Sequence, residues 1–189
     1  MLPNANPLLK VTIIPRGQAL GAAWYLPEER QLSTTEQMMD EMAATLGGRA
    51  AEEIINGKIS SGAMNDLEKV TKQAYAMVSY FGMSEKVGNI SFYNANDGYT
   101  FAKPYSEKTA EVIDSEVRRF IDTAHETALK VLKENLDGFT KLAEMLLERE
   151  VIFSDDLEKI FGARKGGKTP EAIHTEESSP MKDSDTEQE

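Results

Sequence analysis

Seven apolar residues, Ile113, Val117, Phe120, Ile121, Ala124, Val131 and Leu132, recur at helical spacing between Ser106 and Lys133. The period places them on one face of a single long helix whose N-cap is Ser106. A helix with one apolar stripe must bury it against other elements, so the chain has to supply partners of matching length. Two earlier stretches answer that demand. Ser33-Thr34-Thr35-Glu36 has the pattern of a capping box and opens a helix with Met39, Met42, Leu46 and Ile54 on one face and Ala43 and Ala50 nearby. Gly57 ends it. Ser61 or Gly62 opens the next helix, with Leu67, Val70, Ala74, Met77, Val78 and Phe81 as its stripe and Gly82 at its C-cap. Past Gly138, which breaks the pattern, Phe139 to Leu147 and Ser154 to Phe161 read as two short helices. Met38, Met39, Met42, Met64, Met77 and Met83 mostly fall on these stripes and read as core filling.

The N-terminal part reads differently. After a Pro/Asn-rich leader, Leu9 to Ile14 is a β-rich run closed by Pro15 and Gly17, and Leu20 to Leu26 is a second candidate strand. The short link between them predicts a small antiparallel sheet. The first strand could cover the core, or it could accept an extended peptide along an open edge. Val87 to Tyr93 is a further candidate strand, and Asn94 to Gly98 is a turn-rich loop. The expectation is a mainly α domain over 1–162 with a small N-terminal antiparallel sheet. Residues 163–189 form a tail. From Pro170 on it has seven acids and one lysine, with Ile173 and Met181 as its only large apolar residues. Such a composition cannot offset the entropy of ordering, so the tail is expected to be disordered.

Charge and composition exclude several functions. A net charge of −11 leaves no basic footprint for nucleic acid or an anionic membrane. The absence of cysteine removes disulfides and thiolate metal sites. No apolar run is long enough for a transmembrane helix, and the N-terminus lacks the order of a signal peptide. There is no phosphate-binding glycine loop.

Any chemistry is expected in the stretch Thr45 to Glu53 and in Ser60 to Leu67. Gly47 and Gly48 interrupt a helical pattern, each at a cost of roughly 1 kcal/mol against alanine, which predicts a close approach by another backbone. Asp66 lies in the first turn of a helix, where the dipole favours an acid by about 0.3–1 kcal/mol. Glu52 is either a metal-directed carboxylate or a solvated partner of Arg49 three positions earlier. Glu53 points about 100° away from it. His125-Glu126-Thr127-Ala128-Leu129 begins like a zinc-hydrolase motif, but Leu129 stands where a second histidine is required. His125 therefore reads as a partly exposed helical residue, and His174 lies in the tail.

Leu46-Gly47-Gly48-Arg49-Ala50-Ala51-Glu52-Glu53 and Ser61-Gly62-Ala63-Met64-Asn65-Asp66-Leu67 together resemble the peptidase domain of FtsH-type ATP-dependent zinc metalloproteases. The resemblance extends to Pro7–Gly17, Phe81–Ser84 and Lys103–Ser106, and covers about residues 5 to 162. It implies peptide-bond hydrolysis by metal-activated water, on unfolded or membrane proteins fed by a hexameric ATPase ring. It implies that Asp66 is the third zinc ligand, with Glu52 a weaker alternative. It also places a His-Glu-x-x-His helix just before the Pro7 strand, whereas this chain starts at Met1. The domain is thus expected to be incomplete at its N-terminus, with no catalytic glutamate and no tightly held zinc, and inactive alone. ATP would act only through an ATPase module that this chain does not contain. The non-catalytic alternative is a ring-assembly or interaction module that self-associates. The implied location is the cytoplasm or the cytoplasmic face of a membrane. Without the zinc helix, Leu46, Ala50 and Leu67 should be uncovered.

Overall fold

The structure, a computed structural model, describes residues 1–15, 17, 20–26, 32–93 and 104–164. Strands β1 (Leu8–Thr12) and β2 (Ala22–Tyr25) come first, followed by helices α1 (Thr35–Thr45) and α2 (Gly47–Asn56). A 3-10 turn at Ser61–Ala63 leads into α3 (Met64–Ser79), and α4 (Glu107–Glu134) is the long helix. Helix α5 (Leu136–Arg149), strand β3 (Val151–Phe153) and helix α6 (Ser154–Phe161) complete the described elements. The fold is mainly α with a small antiparallel sheet, as the periodicity predicts. The expected loop at Asn94–Gly98 and the expected acidic tail from Lys165 onward lie outside the described residues.

Helix α4 is the spine. Its apolar face carries Ile113, Val117, Phe120, Ala124 and Ala128, all buried, and α1, α2 and α3 pack along it. Met42, Leu46, Ala50, Val70, Ala74, Met77 and Val78 supply the opposing surface. Each is at most 2% exposed. Burying side chains of this kind is worth about 1.5–3 kcal/mol for each large one. Met42 and Met77 are fully buried as expected, whereas Met64 is 74% exposed. The predicted α3 stripe is also too wide at both ends, since Leu67 and Phe81 reach solvent.

The chain departs from its sequence pattern at several points. The capping box belongs to Thr34 and Gln37, one residue later than expected: Gln37 N–H donates to Thr34 Oγ1 at 3.3 Å, and Thr34 N–H to Gln37 Oε1 at 2.8 Å. The single helix expected up to Gly57 is two helices, broken at Leu46 (φ −78°, ψ −2°). Leu46 is nonetheless buried, as is Ala50, so the expected uncovering holds only for Leu67. Both residues are turned onto α4, which covers them without any further helix. No strand forms over Val87–Tyr93. There Gly88 takes φ +80°, and Phe92 N–H donates to Ser79 carbonyl oxygen at 2.7 Å, which ties the segment to the end of α3.

Strand β1 is central in the order β2-β1-β3. Val11 pairs with Ala23 on one side and with Ile152 on the other. The open edge considered for this strand is therefore closed across Lys10–Thr12. The third strand was not legible beforehand because Val151–Phe153 is too short to show alternation. Lys10 lies between the aromatic rings of its two cross-strand partners, 5.1 Å from Trp24 and 5.8 Å from Phe153.

The glycines reverse expectation. Beyond the helix's own backbone, a methyl group on Gly47 or Gly48 would meet no heavy atom within 4 Å. The close approach is at Gly138 instead. This residue lies inside α5 rather than breaking it, and a methyl group there would run into the Phe161 ring, 2.9 Å from Cδ1. Gly48→Ala should therefore raise stability by up to about 1 kcal/mol. Gly138→Ala should lower it by about 1–3 kcal/mol through overpacking. Urea titrations of both variants, with Phe161→Ala as partial rescue of the second, give the comparison.

Candidate functional site

Asp66 is delivered by a short relay. Helix α2 ends at Gly57, whose φ of +60° turns the chain away from the helix axis. The 3-10 turn follows, with Ser60 as its cap: Gly62 N–H donates to Ser60 Oγ at 3.1 Å. The turn then runs directly into α3, whose first turn carries Asp66. The Asp66 side chain is 42% exposed, and its ion pair is with Lys69 at 3.5 Å, one turn along the same helix. Tyr25 at the end of β2 lies in its field. Burial first, and the Asp66 charge second, push the Tyr25 hydroxyl above its usual range.

Glu52 is engaged on both oxygens. Ser60 donates its hydroxyl to Oε1 and its N–H to Oε2 at 3.1 Å, and Arg49 Nη1 lies 3.5 Å from Oε2. These donors, the Ser60 hydroxyl above all, hold the Glu52 carboxyl below the ordinary glutamate range. Glu53 turns away from Glu52, as the 100° step requires, and its Oε1 lies 3.1 Å from His125 Nε2 on α4. His125 is thus a partly exposed helical residue in contact with an acid.

A zinc ion takes four ligands in a structural site, and three from the protein in a catalytic one. Among the described residues, no group of three or more His, Asp or Glu side chains could hold a metal. The structure does not gather Asp66 and Glu52 with a third donor. By themselves the described residues do not fit a closed zinc site; they offer a single outward carboxylate at the head of α3.

One charged group escaped the sequence reading. Glu116 is 1% exposed on the core face of α4. It accepts from Ser84 Oγ at 2.8 Å and Arg119 Nη2 at 2.8 Å, with Lys86 Nζ at 2.9 Å. These contacts pin the segment after α3 onto α4. The signal was available, because Glu116 falls at helical spacing between Ile113 and Phe120, inside the apolar stripe. The Arg119 donors chiefly, then Lys86 and Ser84, hold its carboxyl down at about 2, against the opposing effect of burial. An unfolded glutamate titrates near 4.3. The stability Glu116 contributes is therefore full above about pH 5 and lost as pH falls toward 2. Glu116→Gln should cost about 1–3 kcal/mol at pH 7. The deficit should shrink in acid, as followed by urea melts across that range.

No helix among the described residues is long and apolar enough to cross a membrane. The sequence matches peptidase family M41 over residues 1–160. It is similar to the ATP-dependent zinc metalloprotease FtsH of Parabacteroides distasonis, with 62% identity over 165 residues, which is 87% of this chain and 24% of that protein. Similarity extends to the mitochondrial ATP-dependent zinc metalloprotease FTSH 3 of Arabidopsis thaliana, at 54% identity over 86% of this chain and 20% of that protein. In the mouse it extends to the mitochondrial inner membrane m-AAA protease component AFG3L2, at 50% over 86% of this chain and 20% of that protein. The chain thus spans about a fifth to a quarter of the length of the curated relatives it matches.

Proposed function

Because the chain belongs to peptidase family M41, we propose that it supplies the Asp66-bearing part of a zinc endopeptidase domain. The supporting observation is the state of Asp66: a half-exposed carboxylate at the head of α3, in the motif Ser61–Leu67, held only by an ion pair to Lys69 among the contacts described. Such an oxygen is available to a metal, whereas Glu52 has both of its oxygens in use. In the proposed setting the remaining ligands and the general base come from outside residues 1–189. An ATPase module feeds unfolded or membrane proteins to the site. The names of the relatives, ATP-dependent zinc metalloproteases, support the zinc and the ATP dependence of that setting.

On this reading residues 1–189 alone neither hold zinc tightly nor cleave peptides. A catalytic zinc centre needs three protein ligands and a base to activate water. The purified chain should carry far less than one equivalent of zinc by elemental analysis and leave casein intact. Stoichiometric, chelator-sensitive zinc would overturn the proposal. So would casein cleavage that persists through repurification and disappears in Asp66→Ala.

A second reading, a non-catalytic assembly module, draws support from the surface beside the relay. Ile55 is 57% exposed, Ile59 65% and Met64 74%, three large apolar side chains within ten residues of the sequence, and exposed apolar surface favours contact with another protein. Sedimentation over a roughly hundredfold concentration range should show self-association that Ile59→Glu weakens without lowering the melting temperature. A monomer at every concentration removes this second reading.

A further inference from the structure

We infer that Glu52 is a positioning residue. Its carboxylate clasps Ser60 and so fixes the segment that delivers Asp66, without itself serving as a metal ligand. The inference rests on the reading of Asp66 as the metal-facing carboxylate.

The geometry is a chain of contacts running across the gap between two helices. Glu52 is anchored in the middle of α2 and paired there with Arg49. It takes both donors of Ser60, eight residues further on. Ser60 Oγ passes the restraint forward by accepting from Gly62 N–H at 3.1 Å. Gly62 stands four positions before Asp66 and fits closely under the clasp: a methyl group there would lie 3.3 Å from Ser60 Oγ and 3.9 Å from Glu52 Oε1. The segment needs such a restraint because burial gives it little. Every residue from Ile55 to Gly62 is exposed, and only Ala63 is buried before α3 begins. A loop without apolar anchors samples many conformations unless polar contacts fix it.

The same contacts argue against ligation. A metal would compete at oxygens that already accept an O–H and an N–H and face a guanidinium. Turning Glu52 toward it would weaken the hold on Ser60. The lowered Glu52 carboxyl agrees with a charge held in place by donors. Glu53 cannot substitute, since it is directed at His125 on α4.

Amide hydrogen exchange of the whole chain tests the clasp. In Glu52→Ala, protection at Ser60, Gly62 and the first turn of α3 should fall at least tenfold, while amides of Ile113–Phe120 keep theirs. Glu52→Gln retains an accepting oxygen and should recover most of the loss. Unchanged protection in Glu52→Ala overturns the clasp. Carboxylate carbon NMR during addition of Zn²⁺ separates clasp from ligand. Asp66 Cγ should shift ahead of the other exposed acids, with Glu52 Cδ still. A Zn²⁺-dependent shift of Glu52 Cδ comparable to that of Asp66 overturns the inference. Lost protection in Glu52→Ala together with stoichiometric zinc that persists in Asp66→Ala overturns the reading of Asp66 and leaves the clasp standing.

Discussion

Everything in this domain leans on α4, and α4 can be buried only because the charge of Glu116 is answered where it stands. Four residues of one face, Ile113, Glu116, Val117 and Phe120, are at most 7% exposed. An unpartnered carboxylate among them would cost several kcal/mol and would neutralise or expel itself. Ser84, Lys86 and Arg119 prevent that. Lys86 and Arg119 keep their own side chains largely in water while their charges reach the buried oxygens. The partnership does more than tolerate a charge. It fastens the irregular stretch after α3 to the spine, beside the apolar contacts that Met83, Val87 and Phe92 make with the core.

The arrangement divides labour along α3. From its second turn onward it is buried through Val70, Ala74, Met77 and Val78, so its axis is set by the core. Its N-terminal turn projects beyond that core, with Met64 and Leu67 open and Asp66 half exposed. A carboxylate carried in this way is placed by a rigid rod yet stays accessible. The relay of Glu52, Ser60 and Gly62 adds a second constraint from the opposite side, so that the first turn is held at both ends.

The sequence displayed what periodicity can display. Helices with sustained stripes, α3 and α4 above all, lie where the spacing put them, because burial of a face is a local pattern repeated many times. Family membership was visible in two motifs, Leu46–Glu53 and Ser61–Leu67. What stayed hidden depends on partners distant in the chain. Gly47 and Gly48 looked like contact glycines and face open space, while Gly138 looked like a breaker and touches Phe161. A glycine in a helix reports that something is unusual, but its neighbour is chosen by tertiary packing. The split at Leu46 was masked for a related reason: the apolar phase carries through the break, since Leu46 N–H still reaches Met42 and Ala50 N–H still reaches Leu46. Strand β3 offered three residues and no alternation. Glu116 was overlooked because charge was read as exposure, although its spacing placed it in the stripe.

The sheet carries a consequence for the order of assembly. Strand β1 finds its second neighbour only at Val151–Phe153, and Thr12 Oγ1 donates to the Glu150 carbonyl across a separation of 138 residues. On a ribosome adding about 5–20 residues per second, that partner emerges on the order of 10 s after β1. Until then one flank of β1 has unpaired backbone groups, with Ile13 and Ile14 beside it. An edge in that state is a template for pairing with another nascent chain. The closure of the sheet is therefore a late, long-range event, and the early helices must collapse around α4 while the first strand is still waiting.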